Sequence, residues 1–101
     1  MDWSIKWSES ALASAEDAVR YLAKHSTRAA EDLREAFFDA TDILTRHPEI
    51  GPVYEPEESG LTRHIVCRNY LIFYRPVAAS KIIYIVLVWH TARREPDLPA
   101  E

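Results

Sequence analysis

Lys81 to His90 reads Lys-Ile-Ile-Tyr-Ile-Val-Leu-Val-Trp-His, and the eight residues from Ile82 to Trp89 include no charge, glycine or proline. Such a run is far shorter than the ~20 residues of a membrane-spanning helix. β-Branched and aromatic side chains dominate it, as in a strand covered on both faces. A strand of that kind belongs in the middle of a sheet. Upstream, Thr62 to Arg68 and Tyr70 to Val77 are also β-rich, with only Asn69 and Ala78 to Ser80 as connections. Gaps so short permit antiparallel hairpins alone, so residues 62–90 are predicted to form a three-stranded meander.

The stretch before the meander, Pro48 to Gly60, holds three of the six prolines, both glycines, and Glu55, Glu57 and Glu58. It reads as an exposed loop. Further upstream, Ala30, Leu33, Phe37, Ala40 and Leu44 recur at helical offsets until His47 and Pro48 stop them. A second stripe, Leu12, Ala15, Val19 and Leu22, follows Ser8, which can cap a helix, and Glu9, which suits its first turn. Lys24 to Thr27 is a short polar break, so the two helices form an antiparallel hairpin. Trp3, Ile5 and Trp7 alternate with Ser4 and Lys6, the period of a half-buried strand.

The order is therefore β-α-α-β-β-β, an α+β fold with a helical hairpin on one face of a small, mainly antiparallel sheet. No element remains to cover the other face. At 101 residues the chain is one domain, expected over residues 1–94, with 95–101 as a mobile C-terminal tail. One cysteine, Cys67, precludes an internal disulfide and reads as a small buried hydrophobe. With no charged-then-apolar leader, the expected compartment is the cytoplasm.

Charge is segregated along the chain. Residues 61–94 carry six lysines and arginines and no acid, whereas residues 1–60 carry thirteen acids against six bases. A cationic sheet on an acidic body suggests an anionic partner. The four histidines and one cysteine have no metal-ligand spacing, and no metal or cofactor is expected.

Several segments together resemble the RelE/ParE superfamily of toxins from type II toxin-antitoxin pairs. They are the strand-helix-helix opening, His47-Pro48 with Gly51, Arg63 at a strand start, Asn69-Tyr70-Leu71-Ile72-Phe73-Tyr74-Arg75-Pro76-Val77, and His90-Thr91-Ala92-Arg93. The resemblance implies a growth-inhibiting protein neutralised by a cognate antitoxin, acting either on mRNA in the ribosome or on DNA gyrase. It also implies operator DNA contact only through the antitoxin, and no membrane partner.

A nuclease needs cations and a titrating group gathered around the scissile phosphate. Here Leu71 stands where RelE-type nucleases commonly place an arginine, the terminal tyrosine is missing, and only Arg63, His90 and Arg93 could fill catalytic slots. The residues favour the ParE branch, a gyrase inhibitor that acts by binding, with a ParD-like antitoxin in a hetero-oligomer. An mRNA endonuclease or a degenerate, non-toxic co-repressor scaffold are the alternatives. Leu71, Phe73 and Arg75 should share the bare sheet face, forming with Arg63 and Arg68 the antitoxin surface, while Arg93 and Arg94 serve the target. An apolar patch of that kind normally marks an interface.

Overall fold

A computed structural model describes residues 2–94, 96 and 98 of the chain. The elements are β1 (Ser4–Trp7), α1 (Glu9–Ala23), α2 (Thr27–Leu44), β2 (Arg63–Cys67), β3 (Tyr70–Val77) and β4 (Ile82–His90). The expected mobile tail, 95–101, falls largely outside the described residues. The strands form one sheet in the order β1-β4-β3-β2. β4 is internal, as its two-sided apolar sequence requires, and β1 runs parallel to it while β2, β3 and β4 form the antiparallel meander.

Ser8 caps α1 by accepting the Ala11 N–H at 3.0 Å, and Ser26 caps α2 by accepting that of Ala29 at 3.1 Å. The stripe of α2 packs inward largely as expected, through Ala30, Leu33, Phe37 and Leu44 with Thr41 between them. In that of α1, Val19 is buried and Ala15 and Leu22 pack against the core, but Leu12 is 47% exposed and Ala11 and Ala18 are buried beside Val19, a small rotation of the stripe. The reason lies at the edge of β4. β1 ends at Trp7, so the outward backbone groups of Val86 and Val88 lack a strand partner. Ser8 donates to the Val86 carbonyl at 3.3 Å and Ser14 accepts the Val88 N–H at 3.0 Å. Satisfying these groups turns the Ala/Ser face of α1 toward the sheet.

The core lies between helices and sheet, with Ile72, Tyr74, Ile83, Ile85 and Val88 facing Leu33, Phe37 and Leu44. The β3–β4 register skips Val86: Phe73 pairs with Leu87 but Tyr74 with Ile85. This β-bulge keeps apolar residues on both faces of β4 despite its uneven alternation. Cys67 is buried in the core and burial raises its pKa against a downward pull from Arg68, so it is a poor nucleophile. No helix among the described residues is long and apolar enough to cross a membrane.

Candidate functional site

Strand alternation places Tyr70, Ile72 and Tyr74 toward the helices and Leu71, Phe73 and Arg75 on the opposite face. That face was expected to be bare, and half of it is covered. The loop between α2 and β2 folds back over it: the Tyr54 N–H donates to the Thr62 carbonyl at 2.8 Å and the His64 N–H to that of Pro52 at 3.1 Å. These bonds lay residues 52–54 along the edge of β2. Tyr54 then packs edge-on against Phe73, ring centroids 4.7 Å apart. Phe73 is consequently fully buried, which corrects its expected exposure. The Pro48 to Gly60 segment is likewise more than an exposed loop.

The loop is tied down at two further points. Arg75 donates to Thr62 Oγ1 at 2.8 Å and to Glu57 Oε2 at 2.9 Å, with both charged side chains mostly buried. Burial favours the protonated form of Glu57, yet hydrogen bonds with Ser59 and Thr62 and the Arg75 charge outweigh it. The carboxyl therefore titrates below the usual glutamate range. Arg63 donates to the Gly51 carbonyl at 2.7 Å and to that of Glu49 at 3.3 Å. The Gly51 N–H donates to Tyr74 Oη at 2.9 Å. Burial pushes the Tyr74 hydroxyl above the usual phenol range, although this bond and nearby Arg63 pull it down. Thus Gly51, Arg63 and Tyr74, distant in sequence, form one structural tie.

Beyond the loop, part of the open face stays accessible, and one row of it runs across three strands. Val66 pairs with Leu71 and Leu71 with Trp89, so the three side chains cross β2, β3 and β4 side by side. Val66 is 66% exposed, while Leu71 and Trp89 are half-buried. The Arg93 guanidinium lies over the Trp89 ring at 5.2 Å, and Trp89 Nε1 donates to the Arg94 carbonyl at 2.7 Å. The site is an apolar row ending in two arginines. Val66 and Trp89 were missed because the sequence does not reveal the register that aligns them with Leu71.

The strand-borne cations do not make one face. Register places Arg63, Arg75 and Lys81 at one end of the sheet and Arg68, Arg93 and Arg94 at the other. Arg68 is five residues along from Arg63, about 16 Å at strand rise. The anticipated antitoxin set of Leu71, Phe73, Arg75, Arg63 and Arg68 is therefore not contiguous: Phe73 is sealed, and Arg63 and Arg75 are engaged by the loop. Of the three candidate catalytic residues, His90 and Arg93 are neighbours and Arg63 stands apart from them. Arg63 pairs with Tyr74 and His90 with Tyr70, four residues or about 13 Å apart. His90 packs edge-on against Tyr70 at 5.1 Å, and its Nδ1 accepts the Ala92 N–H at 3.0 Å. Among the described residues no His, Cys, Asp or Glu cluster could hold a metal ion.

The chain is thus a small α+β protein with a helical hairpin on one face of a four-stranded mixed sheet and a short apolar row on the other. The family model described as "ParE toxin of type II toxin-antitoxin system, parDE" matches residues 5–95, and the chain belongs to that family. The chromosomal ParDE toxin-antitoxin system from P. aeruginosa contains a similar chain at TM-score 0.70 and 18% identity, covering 87% of this chain and 95% of that one. A chain of the RelBE2 toxin-antitoxin complex from Mycobacterium tuberculosis is similar at TM-score 0.60 and 20% identity, covering 89% and 99%. At these identities the likeness is one of fold. No curated protein sequence matches the chain.

Proposed function

We propose that this ParE-family toxin arrests growth by binding DNA gyrase in the cytoplasm, without chemistry of its own, and that a cognate ParD-like antitoxin neutralises it by covering the open sheet face. Family membership supports the toxin–antitoxin part of this reading. The observation that carries the binding mode is the pairing of Leu71 with Trp89. A nuclease would need convergent cations around a scissile phosphate on that face, and an apolar row stands there instead. Such a row suits the apolar stripe of an antitoxin segment, and Arg93 and Arg94 beside it suit carboxylates of antitoxin or target. Bound to the antitoxin, the toxin would reach operator DNA only indirectly, within the hetero-oligomer.

The test is induction of the chain without its partner, combined with a supercoiling assay on purified gyrase. Filamentous cells, a DNA-damage response and loss of supercoiling are expected. Translation arrest with messages cut at the ribosomal A site would replace this reading with the endonuclease. Unaffected growth and supercoiling would replace it with a non-toxic scaffold.

A further inference from the structure

At the end of the sheet holding Arg68 and Arg93, α1 and the ends of β3 and β4 line an open groove of about 730 Å³ that reaches from the helical side to Trp89 and to Arg93 lying over its ring. Its volume is that of a small-molecule site. Ala18, Leu33 and Val88 contribute apolar walls, and Tyr21, 62% exposed, also lines it. Four cations from three segments line it as well: Arg20 and Lys24 from the end of α1, Arg68 from the β2–β3 turn, and Arg93 after β4. Asp17, the one carboxylate among the described lining residues, is bound by Arg20 at 2.8 Å. Lys24, Arg68 and Arg93 have no ion-pair partner among the described residues.

Cations near the C-terminus of α1 also complement its carbonyls, so Arg20 and Lys24 alone would not mark a site. Arg68 and Arg93 have no such role. Arg68 moreover holds φ at 59°, a conformation suited to glycine, in a two-residue hairpin turn. Lys81, in the β3–β4 turn at the other end of the sheet, shares this conformation, so it is the position of Arg68 at the groove that bears on binding. The turn is fixed against β4 by the Thr91 N–H donating to the Asn69 carbonyl at 2.9 Å, which holds Arg68 at the groove. Since His90 Nδ1 accepts the Ala92 N–H, the neutral ring carries its proton on Nε2, a further donor among the lining residues.

Three cations with no ion-pair partner among the described residues line one groove with a single carboxylate, and an aromatic ring on the lining suits a base. We propose that the groove binds a nucleoside di- or triphosphate, its phosphates between Arg68, Arg93 and Lys24 and its base against Tyr21. The same chemistry is available from a free nucleotide or from the phosphorylated end of a nucleic acid.

Titration calorimetry at low salt with ATP, ADP, adenosine, pyrophosphate and a short 5′-phosphorylated single-stranded oligonucleotide tests this on the full chain. ATP and ADP are expected to bind, pyrophosphate more weakly and adenosine not measurably. Arg68→Gly and Arg93→Ala should each weaken ATP binding about tenfold or more. Arg68→Gly removes the backbone strain, so its melting temperature should hold or rise, which separates lost binding from lost folding. Arg46→Ala, outside the groove, should leave affinity unchanged. Tighter binding of the oligonucleotide than of ATP, equally weakened by Arg68→Gly, would support the site and assign its ligand to a nucleic-acid end. Absence of binding by ATP and oligonucleotide alike, or binding indifferent to both arginine variants, would overturn the proposal.

Discussion

Glu57 and Arg75, eighteen positions apart in sequence, meet at 2.9 Å and clamp the α2–β2 loop over half of a sheet face. The clamp works because the rest of the loop is already in register with β2, through the bonds of Pro52 with His64 and of Tyr54 with Thr62. The loop thereby takes Phe73 out of the accessible surface and leaves the row of Val66, Leu71 and Trp89 open.

The clamp makes stability depend on pH. Glu57 titrates lower folded than unfolded, so in acid the unfolded chain binds the proton more readily. Its contribution is complete above the ordinary glutamate range and fades as pH falls through the lowered folded value. Glu57→Gln should lower unfolding free energy at neutral pH by roughly 1 to 2 kcal/mol and remove this part of the acid dependence. Urea denaturation across the acid range measures both; equal pH slopes in variant and parent would contradict the assignment.

Gly51 is required for space. A Cβ there would collide with the His64 carbonyl and press on the Tyr74 hydroxyl. Gly51→Ala is expected to cost about 1 to 3 kcal/mol through overpacking. Tyr74→Phe should cost roughly 1 to 2 kcal/mol, because the buried Gly51 N–H loses its acceptor. Thermal unfolding of the two variants measures both losses.

Leu71 and Phe73 share a face and should behave oppositely. Leu71→Lys places a charge in the accessible row, should change stability by less than about 1 kcal/mol, and should weaken antitoxin binding at least tenfold. Phe73→Ala removes a buried ring beneath Tyr54 and should cost roughly 3 to 5 kcal/mol. Circular dichroism and binding titrations distinguish these effects, and undiminished antitoxin binding by Leu71→Lys would move the interface elsewhere.

His90 tests whether chemistry is involved. If the proposed gyrase binding holds, His90→Ala should leave growth arrest within about twofold, whereas loss of a proton-transfer group would lower a nuclease rate about 10²-fold or more. Dose-matched induction, scored by colony counts, separates the two.

Much of the fold was legible because its signals are local. The two-sided apolar run placed β4 inside the sheet, the short gaps made the meander, and Ser8 marked the start of α1. Leu71 was legible as an apolar substitution in an otherwise family-like segment. Phe73 was misread because alternation reports which face a side chain takes, but not whether a distant loop covers that face. Leu12 was misread because a helical period leaves the rotation of the stripe open by a residue. That rotation was settled by the bond Ser8 donates to the Val86 carbonyl and the one Ser14 accepts from the Val88 N–H.

By itself the amino-acid order determined the element types, their sequence and the segregation of charge, since capping, periodicity and hairpin length act over a few neighbouring residues. Tertiary structure alone decided which cations are engaged and which apolar side chains remain accessible. Those outcomes depend on strand register, the bulge at Val86 and the docking of Tyr54 and Glu57, all set by partners far apart along the chain.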